Sequence, residues 1–180
     1  MDGAIGGAVA KAAAAGRRQR AAWLLLRGEV IHTWIKGHLS LDEADYAAGP
    51  AEPDLWEGPW GKVGVIQGGE GLLPEVARSL ALPGADLTLW PTRHPGPTPE
   101  LFARTRAAEN RVFVALANPA VPGAESLIAT PDGAVAARTF PGAHQGVGAS
   151  LVLDLSRHKE LAPGTEALGG RRASAFDRLS

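Results

Sequence analysis

The chain has 180 residues, a net charge of −1 and 45% apolar residues. That allows one domain with its own core and excludes a strong field for nucleic acid or anionic membrane. There is no cysteine, which excludes disulfides, thiolate metal sites and thiol nucleophiles, and no run approaches the roughly 18 apolar residues that span a bilayer.

Taken in chain order, residues 4–15 are nearly all Ala and Gly and predict a short helix with a frayed start. GRRQR (16–20) reads as an exposed basic turn. The apolar stretch precedes these charges, the reverse of a signal peptide, so a cytoplasmic protein is expected. AWLLLRGEVIHTWIK (22–36) predicts a hairpin with its turn at Arg27-Gly28-Glu29. Residues 40–60, rich in Pro, Gly and acidic side chains, predict a loop with a short helical turn at 42–46. Lys62–Ile66 reads as a strand, 67–71 as a tight glycine turn, and 73–82 as a helix opened by Pro74 and Glu75. A strand within 84–92, a proline loop and a helix from Thr98 or Pro99 to Asn110 follow. Val112–Ala117 is a buried-type strand, and 126–130 and 134–139 flank a Pro-Asp-Gly turn. Gly148–Leu155 is the last predicted strand, and 162–180 a surface tail. Strands alternating with helices argue for an α/β sheet protein.

Several segments, in order, resemble the nitrilase, or carbon–nitrogen hydrolase, superfamily. GKVGVIQGGEGLLPE (61–75) resembles its nucleophile strand and elbow, IHTWIKGHLSLDEADYAAGP (31–50) its catalytic-lysine segment, and ELFARTRAAENRVFVALANP (100–119) its Ala-Glu-Asn helix and following strand. GADLTLWPT (84–92), ESLIATPDGAVAART (125–139) and QGVGASLVLDLSRHKE (145–160) match in turn. The resemblance covers about 22–160. It implies a nitrilase-like αββα sandwich, N-terminally shortened because only 35 residues precede Lys36. The whole chain reads as a single domain, with 1–21 a helix and basic turn outside the resemblance and 161–180 a tail.

The resemblance places the oxyanion-stabilising lysine at Lys36, where the bland alternative is a surface lysine. It places the second glutamate at Glu43, give or take one residue; flanked by Asp42 and Asp45, that residue reads first as part of a solvated acidic loop. It places the nucleophile at Gly68, which has no side chain to supply. Glu70 stands two residues beyond that position, where the family keeps a structural acidic residue. The first catalytic glutamate has no counterpart. The histidines show no metal spacing, and no cofactor is implied. Glu109 and Asn110 read as a structural pair closing their helix, and the scattered tryptophans as core and loop anchors rather than a base-stacking platform.

Three functions compete. The first is a catalytically inactive homologue that keeps the scaffold and a small pocket for an amide or nitrile. The second is an active C–N hydrolase with a non-cysteine nucleophile, and the third a structural or regulatory subunit completed by a partner chain. A sheet lacking its first strands exposes an edge, so a homo-oligomer or an unseen partner is expected. The helices at 73–82 and 98–110, with Leu73, Val76, Leu80 and Leu101, are the candidate interface.

Overall fold

The computed structural model describes residues 17–139 in full and the backbone of 3–14, together with the isolated positions 170 and 174. The predicted strand at 148–155 and the tail at 162–180 lie outside the described residues.

Two sheets form. In the first, β1 (Gly3–Ala14), β2 (Arg17–Leu26) and β3 (Glu29–Ile35) are antiparallel in the order β1-β2-β3. β1 corrects the helix predicted at 4–15. Its register runs from Gly3 opposite Leu26 to Ala10 opposite Gln19, with a shift before Ala14 opposite Arg17. The glycines weaken a local helix, and the backbone of β2 offers a full partner ladder, so pairing overrides alanine propensity. Residues 17–20, predicted as a turn, are strand for the same reason. The β2–β3 hairpin forms as predicted. Arg27 and Gly28 both take positive φ, 53° and 85°, the pairing that matches strand twist in a two-residue hairpin.

The second sheet has six strands in the order β4-β5-β6-β7-β8-β9. They are β4 (Leu55–Gly58), β5 (Gly61–Val65), β6 (Leu87–Pro91), β7 (Phe113–Ala117), β8 (Leu127–Ala129) and β9 (Val135–Arg138). β5, β6 and β7 are parallel because a helix crosses over between each pair: α1 (Pro74–Ala81) and α2 (Thr98–Asn110). β4 is a strand inside the predicted 40–60 loop, joined to β5 by a hairpin with Gly58 opposite Gly61. Pro74 opens α1 and Arg111, at φ 56°, closes α2.

Alternation along β5 and the residue after it sends Val65 to one face and Ile66 to the other. Ile66, with Val114, Leu116 and Leu127, packs under Val76, Leu80, Ala103 and Ala107 of the helices. Val65 packs with Ala22, Leu24 and Trp34 of the first sheet. The layers are therefore helices, six-stranded sheet, three-stranded sheet: an α–β–β stack matching three layers of the expected sandwich. Val76 and Leu80 serve this core, whereas Leu73, Leu82 and Leu101 are exposed. No described helix is long and apolar enough to cross a membrane.

Candidate functional site

The elbow after β5 fixes the site. Gly68 adopts φ +57°, a left-handed conformation that costs a side-chain-bearing residue about 1–2 kcal/mol. The Trp90 indole N–H donates to the Gly68 carbonyl at 2.8 Å, and Trp90 is itself 1% exposed. A Cβ built on Gly68 would meet only Lys36 Nζ, at 3.6 Å.

Lys36 follows the end of β3. Its backbone N–H donates to the Arg20 carbonyl at 2.9 Å, and its carbonyl accepts from Gly49 N–H at 2.8 Å. The side chain is 3% exposed, so it is not a surface lysine. Its ammonium donates to Glu43 Oε2 at 2.5 Å. Glu43 ends a short 3-10 turn (Leu41–Glu43) and is buried, which corrects its reading as part of a solvated acidic loop. Ser40 donates its backbone N–H and its hydroxyl to the same Oε2, at 2.9 and 2.8 Å. Arg20 Nε lies 2.8 Å from Oε1. Burial alone raises the Glu43 carboxyl pKa. The Lys36 hydrogen bond and the two from Ser40 outweigh it and hold the group at about 2.

Glu70 is the brace. Its Oε1 accepts from the N–H groups of Gly37 and His38 at 3.1 and 2.9 Å, and its Oε2 from Gln67 N–H at 2.8 Å. One carboxylate thus ties the elbow to the segment that carries Lys36, the structural role its position implied. Asn110 is fully buried and its amide donates to the Arg106 carbonyl at 2.9 Å, while Glu109 accepts from Arg106. Arg106 in turn donates to the Leu72 carbonyl at 3.1 Å, anchoring the exit of the elbow.

Lys36, Glu43 and Gly68 come together on one cavity of about 730 Å³. Thr92, a residue the sequence offers as a stand-in near Gly68, also lines it, as do Arg20 and Arg93, which were not singled out by the sequence. Arg20 shares strand parity with the inward-facing Ala22 and Leu24, the one signal that could have found it. The arrangement supplies a buried ammonium able to polarise a carbonyl or nitrile and a carboxylate beside it, with no side chain at Gly68. Among the described residues no group of three or more His, Cys, Asp or Glu could hold a metal ion.

The carbon–nitrogen hydrolase family model matches residues 30–153. No match is found among curated proteins. Solved structures share the fold. A mutant of the Nesterenkonia AN1 amidase from the nitrilase superfamily is 21% identical over 99% of this chain and 68% of that chain, with a TM-score of 0.75. A carbon–nitrogen hydrolase from Helicobacter pylori G27 is 18% identical over 97% of this chain and 69% of that chain, at 0.78. Saccharomyces cerevisiae Nit3, a member of branch 10 of the nitrilase superfamily, is 24% identical over 71% of this chain and 51% of that chain, at 0.63. The chain thus spans about half of one of these structures and just over two thirds of the other two.

Proposed function

We propose a function from one premise: the chain belongs to the carbon–nitrogen hydrolase family. It is a non-hydrolysing member that holds a small amide or nitrile over Gly68 without cleaving it. The observation that carries this reading is the elbow itself. The Nesterenkonia amidase is described with adducts at an active-site cysteine, whereas this chain has no cysteine and its elbow presents a glycine toward Lys36. Losing a nucleophile costs on the order of 10⁶ in turnover. The hydroxyls at hand do not replace it: Ser40 is bonded to Glu43, and among the described residues the Thr92 hydroxyl makes no hydrogen bond to a base.

The test is ammonia release from a panel of small amides and nitriles, with wild type beside Lys36→Ala. Silence of both at high protein concentration supports the reading. Turnover by wild type that dies with Lys36→Ala sinks it in favour of an active hydrolase.

A second reading, a subunit completed by another chain, has its own support. On β3, Val30 is 56% and Ile31 37% exposed, apolar surface at the edge strand of the smaller sheet. Light scattering after size exclusion decides it: a monodisperse, soluble monomer at roughly tens of micromolar rules this reading out.

A further inference from the structure

Residues 17–20, the basic start of β2, lie against the loop that carries Glu43. β3 ends with Ile35 opposite Ala21, so β2 runs on past its neighbour. Carbonyls of alternate residues leave a strand on the same edge. On that edge the Arg20 carbonyl accepts from Lys36 N–H at 2.9 Å, and the Arg18 carbonyl accepts from Ala47 N–H at 2.8 Å. Arg18 and Tyr46 form a parallel bridge, and Arg17 donates to the Ala44 carbonyl at 2.8 Å. The loop thus continues the sheet where β3 stops.

Side chains complete the hold. The Arg18 and Arg20 guanidiniums lie 5.0 and 4.9 Å from the centroid of the Tyr46 ring, within cation–π range. Tyr46 N–H donates in turn to the Glu43 carbonyl at 2.9 Å. Arg20 Nε stands 2.8 Å from Glu43 Oε1 but off the hydrogen-bond line, so the contact is ionic. The Arg20 side chain is 40% exposed, and as a charge acting at a distance it is screened. What it supplies is contact. The two oxygens of Glu43 are held from different sides: Lys36 and Ser40 bond Oε2, while among the described residues Arg20 alone meets Oε1.

We propose that Arg20 is a positioning residue for Lys36. Its carbonyl fixes the lysine backbone, and its guanidinium stops the Glu43 carboxylate from pivoting about Oε2. The ammonium, tied to that oxygen at 2.5 Å, is thereby kept over Gly68. Without the arginine the carboxylate turns and draws the lysine away from the elbow. This role is independent of whether the cavity cleaves its ligand, so it stands or falls apart from the proposed function.

The test uses a thiol at the elbow as a probe of where the ammonium stands. The chain has no cysteine, so Gly68→Cys carries a single thiol, whose thiolate the Lys36 ammonium favours. The midpoint of its iodoacetamide pH profile is the readout. Adding Arg20→Met, which keeps the apolar stem, is expected to raise that midpoint by about one pH unit. Arg20→Lys, which keeps a cation, is expected to restore most of the shift. Tyr46→Leu removes the ring beside both guanidiniums and leaves every charge in place, so the smaller rise expected there comes from lost position. It also decides the matter if Arg20→Met does not fold. A profile unmoved by Arg20→Met overturns the proposal even where the melting temperature falls, because a merely structural strut does only that. An unmoved Tyr46→Leu profile beside a moved Arg20→Met one shows a field effect alone and overturns it too. So does Arg20→Lys shifted as far as Arg20→Met, since a cation at Oε1 is then not what holds the pair.

Discussion

The Lys36 ammonium lies 2.5 Å from Glu43 Oε2, with the two side chains 3% and 4% exposed. A buried pair of this kind adds little over an apolar pair, but breaking it strands a charge, at a cost of about 3–5 kcal/mol. Glu43→Gln is therefore expected to lower stability by about that amount, read by urea denaturation, because Lys36 and Arg20 lose their shared counter-ion. The pH dependence has a definite sign. The Glu43 carboxyl sits at about 2 in the folded chain against 4.5 for its ordinary value. Its contribution is present above the ordinary value and is lost as pH falls from there toward the folded one. Acid titration of wild type and Glu43→Gln should converge in that window. Parallel curves down to the lowest pH would show that the pair is not coupled to folding.

Gly68 offers the reverse experiment. A Cβ there is in ordinary contact with Lys36 Nζ and meets nothing else within 4 Å, so the penalty of a side chain is backbone strain, about 1–2 kcal/mol at positive φ. Gly68→Cys should fold with that loss. Its thiol should titrate below the usual ~8.5, because the ammonium favours the thiolate; the pH profile of iodoacetamide alkylation measures this. Ammonia release should stay at the wild-type level. The cavity carboxylates are Asp42, which is exposed, and Glu43, already bound to two cations, so no free base serves the thiol. Hydrolysis by this variant would refute that account of Glu43.

Glu70 should behave as a fastener rather than a reactant. Glu70→Ala leaves the N–H groups of Gly37, His38 and Gln67 without their acceptor. Hydrogen bonds to a charged group are worth about 1.5–3 kcal/mol each, so, with two of the three only part-buried, a loss of about 4–5 kcal/mol is expected for the set. Amide hydrogen exchange at 37, 38 and 67 should rise together. Faster exchange at 67 alone would mean that Glu70 does not join the two segments.

What the sequence revealed depended on whether the deciding partner was local. The β5–α1–β6–α2–β7 run was readable because apolar strands, glycine stops and helix-opening prolines lie within it. β1 was not, because its alanines favour helix locally and only the ladder of β2 makes them strand. β4 was missed because four residues between prolines carry too little alternation to stand out, and its register is fixed by β5. In the site, Lys36 and Gly68 were visible by motif. The burial of Glu43 was not, since its neighbours Asp42 and Asp45 read as solvated, and its contact with Arg20 joins residues far apart in the chain.

The elbow contains a pair of glycines that separates conformational freedom from space. A Cβ at Gly69 meets nothing within 4 Å, and its φ is not positive. Gly69→Ala should change stability by no more than about 0.5 kcal/mol, as surface substitutions away from special features do. A Cβ at Gly71 runs into the indole of Trp90, which is 1% exposed and has no room to retreat. Overpacking of this kind costs about 1–3 kcal/mol. The consequence reaches the site, because the same indole holds the Gly68 carbonyl at 2.8 Å. Gly71→Ala should therefore lower the melting temperature, alter the near-ultraviolet circular dichroism and weaken ligand uptake together, while Gly69→Ala leaves all three near wild type. Equal behaviour of the two variants would mean that Trp90 does not set the elbow.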